Sequence, residues 1–163
     1  MNEKMNTCII FNPRSGLSNK WFGVNPLEDI VAAFDARGLS VTIMTTSKAG
    51  QGTELAQEAI RHGYTHIIAC GGDGTINEVI NGIEGSDAVC GIIPMGTENV
   101  LAKSMGVPQD VPGACEYFFN APERLMDLGV VNNRNFIMMS GIGFDAQVVS
   151  EMNPNMKNAL GSL

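Results

Sequence analysis

Thr65-His66-Ile67-Ile68-Ala69-Cys70-Gly71-Gly72-Asp73-Gly74-Thr75-Ile76-Asn77-Glu78-Val79-Ile80, residues 65–80, is the stretch on which the fold turns. Thr65 to Cys70 is short, apolar and rich in β-branched residues, the composition of a strand buried on both faces. Gly71 to Thr75 then interrupts the run with glycines at 71, 72 and 74. Ile76, Val79, Ile80 and Ile83 follow at helical spacing and form one apolar stripe. Strand, glycine loop and helix in succession are the repeating unit of a parallel sheet. The same alternation continues upstream. Thr7 to Phe11 predicts a first strand ended by Asn12-Pro13. Asn25-Pro26-Leu27-Glu28 opens a helix with an N-cap residue, an early proline and a first-turn acid, with Leu27, Ile30, Val31 and Phe34 inward and Gly38 as its stop. Leu39 to Thr45 is the second strand. Thr53 to His62 is the second helix, closed by Gly63. Downstream, Ala88 to Ile93 is the fourth strand. Nearly all-apolar strands alternating with helices of about ten residues predict an α/β fold, a parallel sheet with helices on both faces.

Beyond Ile93 the alternation weakens. Thr97 to Met105 and Val111 to Asn120 predict helices, the second with Val111, Ala114, Cys115, Phe118 and Phe119 on one face. Arg124 to Val131 and Asn135 to Ser140 predict two strands joined at Asn132-Asn133-Arg134. A boundary at Ala121-Pro122 is therefore expected. It separates an α/β domain over residues 1–122 from the incomplete start of a β-rich unit over 123–163, and 163 residues leave room for no more.

Ten Lys and Arg against seventeen Asp and Glu give a net charge of −7, which argues against gripping nucleic acid through bulk charge. No apolar run approaches the roughly 18 residues of a membrane span, and Met1 to Thr7 lacks the apolar segment of a signal peptide, so a cytoplasmic chain is expected. Cys8, Cys70, Cys90 and Cys115 are scattered without a CxxC pair and read as reduced structural thiols. His62 and His66 straddle a turn without ligand-spaced partners and read as surface residues.

Ligands of parallel α/β sheets sit beyond the carboxyl ends of the strands, where the three most unusual loops of this chain fall. Glycines at 71, 72 and 74 remove bulk and permit positive φ, so that backbone N–H groups and the next helix N-terminus form a phosphate seat. Asp73 within such a seat would repel a phosphate directly. It suits a site in which Mg²⁺ intervenes or a substrate hydroxyl loses its proton; the alternative is a tight turn that Asp73 caps. Thr75 and Glu78 fit a capping box as well as a site. Asn77 lies near the mouth and is either a nucleotide contact or a solvated first-turn residue. The first loop offers Asn12, Arg14, Ser15 and Gly16, donors suited to phosphate oxygens. In the third, Gly96 and Thr97 open a helix with Asn99 in its first turn. Each flanking loop alone is weak. Together the three predict a nucleotide triphosphate along one edge, with Arg14, Lys20 and Lys103 supplying local positive charge.

Gly141-Ile142-Gly143-Phe144-Asp145-Ala146 imitates a dinucleotide fingerprint, but the acidic residue expected at the end of a following strand has no place before the last residue. Trp21 and Phe22, beside Lys20, read as packing on the first helix or as a lip against lipid.

Asn12-Pro13-Arg14-Ser15-Gly16, Gly71 to Val79, Pro94-Met95-Gly96-Thr97-Glu98-Asn99 and Gly141 to Ala146 occur in the order and rough spacing seen in the diacylglycerol kinase catalytic domain family, which the chain resembles over nearly its whole length. That family includes bacterial lipid kinases and the sphingosine and ceramide kinases. The resemblance implies a nucleotide-binding domain like that of NAD kinases and phosphofructokinases, followed by the truncated start of a β-sandwich. It implies ATP-dependent, Mg²⁺-assisted phosphorylation of a lipid hydroxyl, of diacylglycerol or a sphingoid base. Asn12, Ser15, Gly72, Gly74, Thr75 and Thr97 would contact ATP, and Asp73 would organise metal and phosphates or act as base. Many bacterial members follow the third loop with Asp-Phe-Ala, where this chain has Val100-Leu101-Ala102. The family is also about twice as long, so the chain reads as a fragment, expected to bind nucleotide weakly and to transfer little phosphate by itself. Peripheral contact with the inner membrane surface and a homodimer are further expectations. NAD kinase and a non-catalytic nucleotide-binding fragment are the competing readings; against the first, no Thr-Gly-Ser-Thr-like segment follows.

Overall fold

A computed structural model describes residues 5–16, 25–143, 146–147 and 151. The elements in chain order are β1 (Thr7–Phe11), α1 (Pro26–Asp35), β2 (Val41–Thr45), α2 (Gln51–Arg61), β3 (His66–Gly71), α3 (Asp73–Ile83), β4 (Val89–Pro94), α4 (Val100–Ser104), α5 (Val111–Asn120), β5 (Gly129–Val131) and β6 (Arg134–Phe136). β1 to β4 form one parallel sheet in the order β2-β1-β3-β4. The expected class, a parallel sheet with helices on both faces, is the observed one.

Side chains alternate across a strand, and the two faces take different helices. Ile9, Phe11, Ile68, Cys70 and Ile93 meet Ile30 and Phe34 of α1 with Val111, Ala114 and Cys115 of α5. Cys8, Ile10, Ile67 and Ala69 meet Ala56 and Ala59 of α2 with Ile76, Val79 and Ile80 of α3. Ile9, Ile10, Ile67 and Ile68 are fully buried, each contributing on the order of 2 kcal/mol by removal from water. α2 and α3 pack closely because Gly82 has no side chain. A Cβ there would stand 2.5 Å from the Cβ of Ala56 and 2.6 Å from the carbonyl oxygen of Thr53. All four cysteines are free thiols, three of them buried. Burial pushes the Cys8 thiol up to about 11.

Several boundaries move for identifiable reasons. β2 starts at Val41 rather than Leu39, since only Val41 onward pairs with β1. The expected helix over Thr97 to Met105 shrinks to α4, because Asn99 is left-handed (φ 50, ψ 48) and no helix passes through that conformation. The expected strands over 124–131 and 135–140 shrink to three residues each. They pair only with one another, as a two-stranded sheet apart from the main one, so no further ladder extends them. Asn132 and Asn133 both have positive φ (50 and 57) and form the two-residue turn natural to a hairpin, which puts Arg134 in β6 rather than in the connection. His66 is not a surface residue: it opens β3 with its ring edge-on to Phe118 at 6.2 Å, and burial draws its imidazole below the ordinary range, against the opposing pull of Glu123. Lys20, Trp21, Phe22, Phe144 and Asp145 lie outside the described residues. Among the described residues no helix is long and apolar enough to cross a membrane.

Candidate active site

The parallel register aligns the strand ends, since Phe11 stands opposite Cys70 and Gly71 opposite Pro94. Two further bonds carry the ladder into the loops: Asn12 N–H donates to the Cys70 carbonyl at 2.9 Å and Met95 N–H to that of Gly71 at 2.8 Å. The loops after β1, β3 and β4 thus emerge side by side, as the sequence predicts.

Side chains then bind the loops together. Asn12 Nδ2 donates to Thr75 Oγ1 at 2.9 Å, while Asn12 Oδ1 accepts from the Arg14 N–H at 3.0 Å. Ser15 Oγ donates to the Asn12 carbonyl at 2.8 Å. Asn12 is therefore the hinge pin of the first loop, and it ties that loop to the first turn of α3. Gly16 faces the third loop, where an added Cβ would lie 2.8 Å from Thr97 Oγ1.

The glycines serve close approach rather than left-handed backbone, which corrects the expectation of positive φ. None of Gly71, Gly72 and Gly74 has positive φ, and Gly72 is extended at φ −89, ψ −177. A Cβ on Gly71 would come within 2.6 Å of the Thr75 side chain, and one on Gly96 within 2.6 Å of the Gly72 Cα. The second and third loops therefore cross backbone to backbone. Gly74 differs: it is exposed, and nothing lies within 4 Å of where its Cβ would stand. The first bond of α3 runs from the Ile76 N–H to the Gly72 carbonyl at 3.1 Å. The N–H groups of Asp73, Gly74 and Thr75 thus have no acceptor within the helix, and they head an eleven-residue dipole.

Asp73 does not cap its own turn. Its two carboxylate oxygens accept the N–H groups of Val100 at 3.0 Å and Leu101 at 3.1 Å, so it caps α4, the helix that follows the third loop. Asn99, 3% exposed, closes the third loop on itself: Oδ1 accepts from the Gly96 N–H at 2.8 Å, and Nδ2 donates to the Gly96 carbonyl at 3.0 Å and to Gln109 Oε1 at 3.1 Å. Gln109 in turn donates from Nε2 to the Val107 carbonyl at 2.9 Å. Gln109 is the member of this network that the sequence does not announce, because Pro108-Gln109-Asp110 reads as an ordinary turn. Gly96 and Thr97 accordingly lie in a loop ahead of α4 and do not open a helix.

The capping box is not formed either. α3 begins at Asp73 behind Gly72, ahead of Thr75, and Thr75 accepts from Asn12 instead. Glu78 caps a different helix: its carboxylate accepts from the N–H groups of Gly50 and Gly52, each at 2.9 Å, at the start of α2. That cap accounts for α2 starting at Gln51, earlier than Thr53. Asn77 is half-buried, and its carbonyl accepts from Asn81 at 2.8 Å. Arg14 is exposed at the rim, whereas Lys103 stands 3.9 Å from Glu98. Among the described residues no three His, Cys, Asp or Glu side chains are grouped to hold a metal.

The model of the diacylglycerol kinase catalytic domain matches residues 6–131. The chain is 36% identical over 155 residues to a diacylglycerol kinase of Staphylococcus haemolyticus (strain JCSC1435), covering 94% of this chain and 46% of that protein. It is 35% identical over 158 residues to a diacylglycerol kinase of Bacillus subtilis (strain 168), covering 95% and 51%. In three dimensions it is similar to the crystal structure of a diacylglycerol kinase from Bacillus anthracis (strain Sterne), with a TM-score of 0.69 and 27% identity over 83% of this chain and 49% of that one. The chain spans about half the length of these relatives. With the loops, their register and these likenesses in agreement, the chain belongs to the diacylglycerol kinase catalytic domain family.

Proposed function

We propose that residues 1–122 form the ATP-binding domain of a lipid kinase and that residues 123–163 begin its acceptor side. The reaction is transfer of the γ-phosphate of ATP to a lipid hydroxyl, of diacylglycerol or a sphingoid base. The carrying observation is the convergence of three loops around the start of α3, locked by Asn12–Thr75 and by the crossing of Gly72 and Gly96. Backbone N–H groups of residues 73 to 75 receive phosphate oxygens. Asn12, Ser15, Gly16, Gly71, Gly72, Thr75, Gly96 and Thr97 shape the cradle, and Asn99 supports it from behind. Arg14 and Asn77 flank the nucleotide. Gly74 leaves space for it.

Asp73 fits Mg²⁺, which commonly takes one or two carboxylates together with substrate phosphates. Each carboxylate oxygen has a second lone pair beyond the one that its α4 N–H occupies. Bound there, the ion would neutralise charge developing on the phosphates. In the transfer the lipid oxygen forms its bond to Pγ, the bond from Pγ to the β-bridging oxygen breaks, ADP leaves, and the hydroxyl proton passes to a carboxylate; Asp73 is that base only as the alternative to holding the metal, since a metal-bound carboxylate is a weak base. Exposed Leu125, Val130, Met139 and Ile142 support contact of the acceptor side with a lipid surface or with a second copy in a homodimer. The test is acceptor choice. Labelled γ-phosphate from ATP should appear in diacylglycerol or sphingoid base, however slowly, and should not do so with Asp73→Asn; label appearing in NAD instead contradicts the lipid reading.

A further inference from the structure

α3 carries the phosphate seat at its start, Asp73, and eight residues further on, about 12 Å along the axis, Asn81 holds a different part of the chain. Its side-chain Oδ1 accepts from the Asn135 N–H at 2.9 Å, and its Nδ2 donates to the Asn135 carbonyl, also at 2.9 Å. The same Nδ2 donates back to the Asn77 carbonyl at 2.8 Å, which fixes its rotamer on the helix. A primary amide presents the donor and acceptor of a peptide group, so Asn81 pairs with β6 as a neighbouring strand would. Asn135 is 5% exposed and also donates from Nδ2 to Glu84. Leu128 and Ile137, on either side of the hairpin, pack on the apolar cluster shared by α2 and α3. Two strands of three residues have no independent stability, so what they dock on sets their direction.

We propose that Asn81 is a positioning residue: its amide fixes the β5–β6 hairpin on α3 and thereby sets the acceptor side of the cleft at one orientation to the phosphate seat on the same helix. What the two ends hold rests on the function proposed above; the clamp does not. Aspartate would keep the acceptor but lose the donor, and glutamine would be one methylene too long.

Residual dipolar couplings and amide exchange on the chain itself test this. In the parent, amides of β5, β6 and α3 should fit one alignment tensor. In Asn81→Ala the tensor magnitude for the hairpin should fall by about half or more, and exchange at Asn135 should rise at least about tenfold, with Gly74 to Val79 changed less than about twofold. Asn81→Asp should fall between, and Asn135→Ala, which leaves the backbone pair intact, should keep one tensor. Unchanged alignment and exchange in Asn81→Ala overturn the proposal, as does a rise that spreads evenly along α3. Should Asn81→Ala fail to fold, the ordering of Asn81→Asp and Asn135→Ala decides. A Mg-ATP titration of the same samples is separate: no shift at Gly71 to Thr75 in the parent would defeat the proposed function while the hairpin couplings still decide the clamp.

Discussion

Replacing Asp73 by alanine removes the acceptor of two N–H groups, those of Val100 at 3.0 Å and Leu101 at 3.1 Å. A lost helix cap costs about 1 kcal/mol, and bonds to a charged group are worth about 1.5 kcal/mol or more apiece. Asp73 is half-buried, so water recovers part of the loss. The expected cost is about 2 kcal/mol for Asp73→Ala. It is about 1 kcal/mol for Asp73→Asn, which keeps one carbonyl acceptor but turns the amide NH2, a donor, toward the second N–H. With a urea dependence of about 2 kcal/mol per molar, the midpoint should fall by about 1 M and about 0.5 M respectively. Urea unfolding followed by circular dichroism reads both. An Asp73→Ala midpoint within about 0.2 M of the parent would show that the carboxylate does not hold α4, and would refute the account of how the second and third loops are joined.

Gly96→Ala places a Cβ 2.6 Å from Gly72 Cα and 2.7 Å from Asn99 Oδ1; it should cost about 1–3 kcal/mol in the same assay and weaken nucleotide binding, since the crossing loops must part. Glu78→Ala leaves the N–H groups of Gly50 and Gly52 without their carboxylate, and should cost about 1–2 kcal/mol and raise amide exchange at the start of α2, leaving nucleotide affinity within about threefold. Burial holds the Cys8 and Cys115 thiols up at about 11, so at pH 8 only about one in a thousand is thiolate and labelling by a disulfide reagent should await unfolding; rapid native labelling of either would contradict the packing.

The parallel sheet was legible because strands buried on both faces leave no polar positions, and Cys8 to Phe11 and Ile67 to Cys70 show that plainly. The convergence of three loops was legible for the same reason, since parallel topology places every strand's end on one edge. Partners between elements distant in sequence were not. Asp73 and Glu78 both look like residues of their own helix start, yet each caps a helix distant in sequence, and local spacing contains no sign of that. Asn99 illustrates the limit of periodicity: Val100 to Ser104 continues a helical pattern backward, but the buried amide bonded to Gly96 needs a left-handed backbone. Tertiary hydrogen bonding there overrides propensity.

The central claim is that nucleotide sits where the three loops meet. Gly74 offers the most direct test, because a Cβ added there has nothing within 4 Å and points into the space assigned to phosphate. The parent and Gly74→Val should share one circular dichroism spectrum, with a stability difference of about 1 kcal/mol or less. In calorimetric titration with Mg-ATP the parent should bind and Gly74→Val should show at least about a hundredfold loss, about 2.7 kcal/mol of binding free energy. Equal affinity in the two, with the fold intact, would place the nucleotide elsewhere and contradict the site.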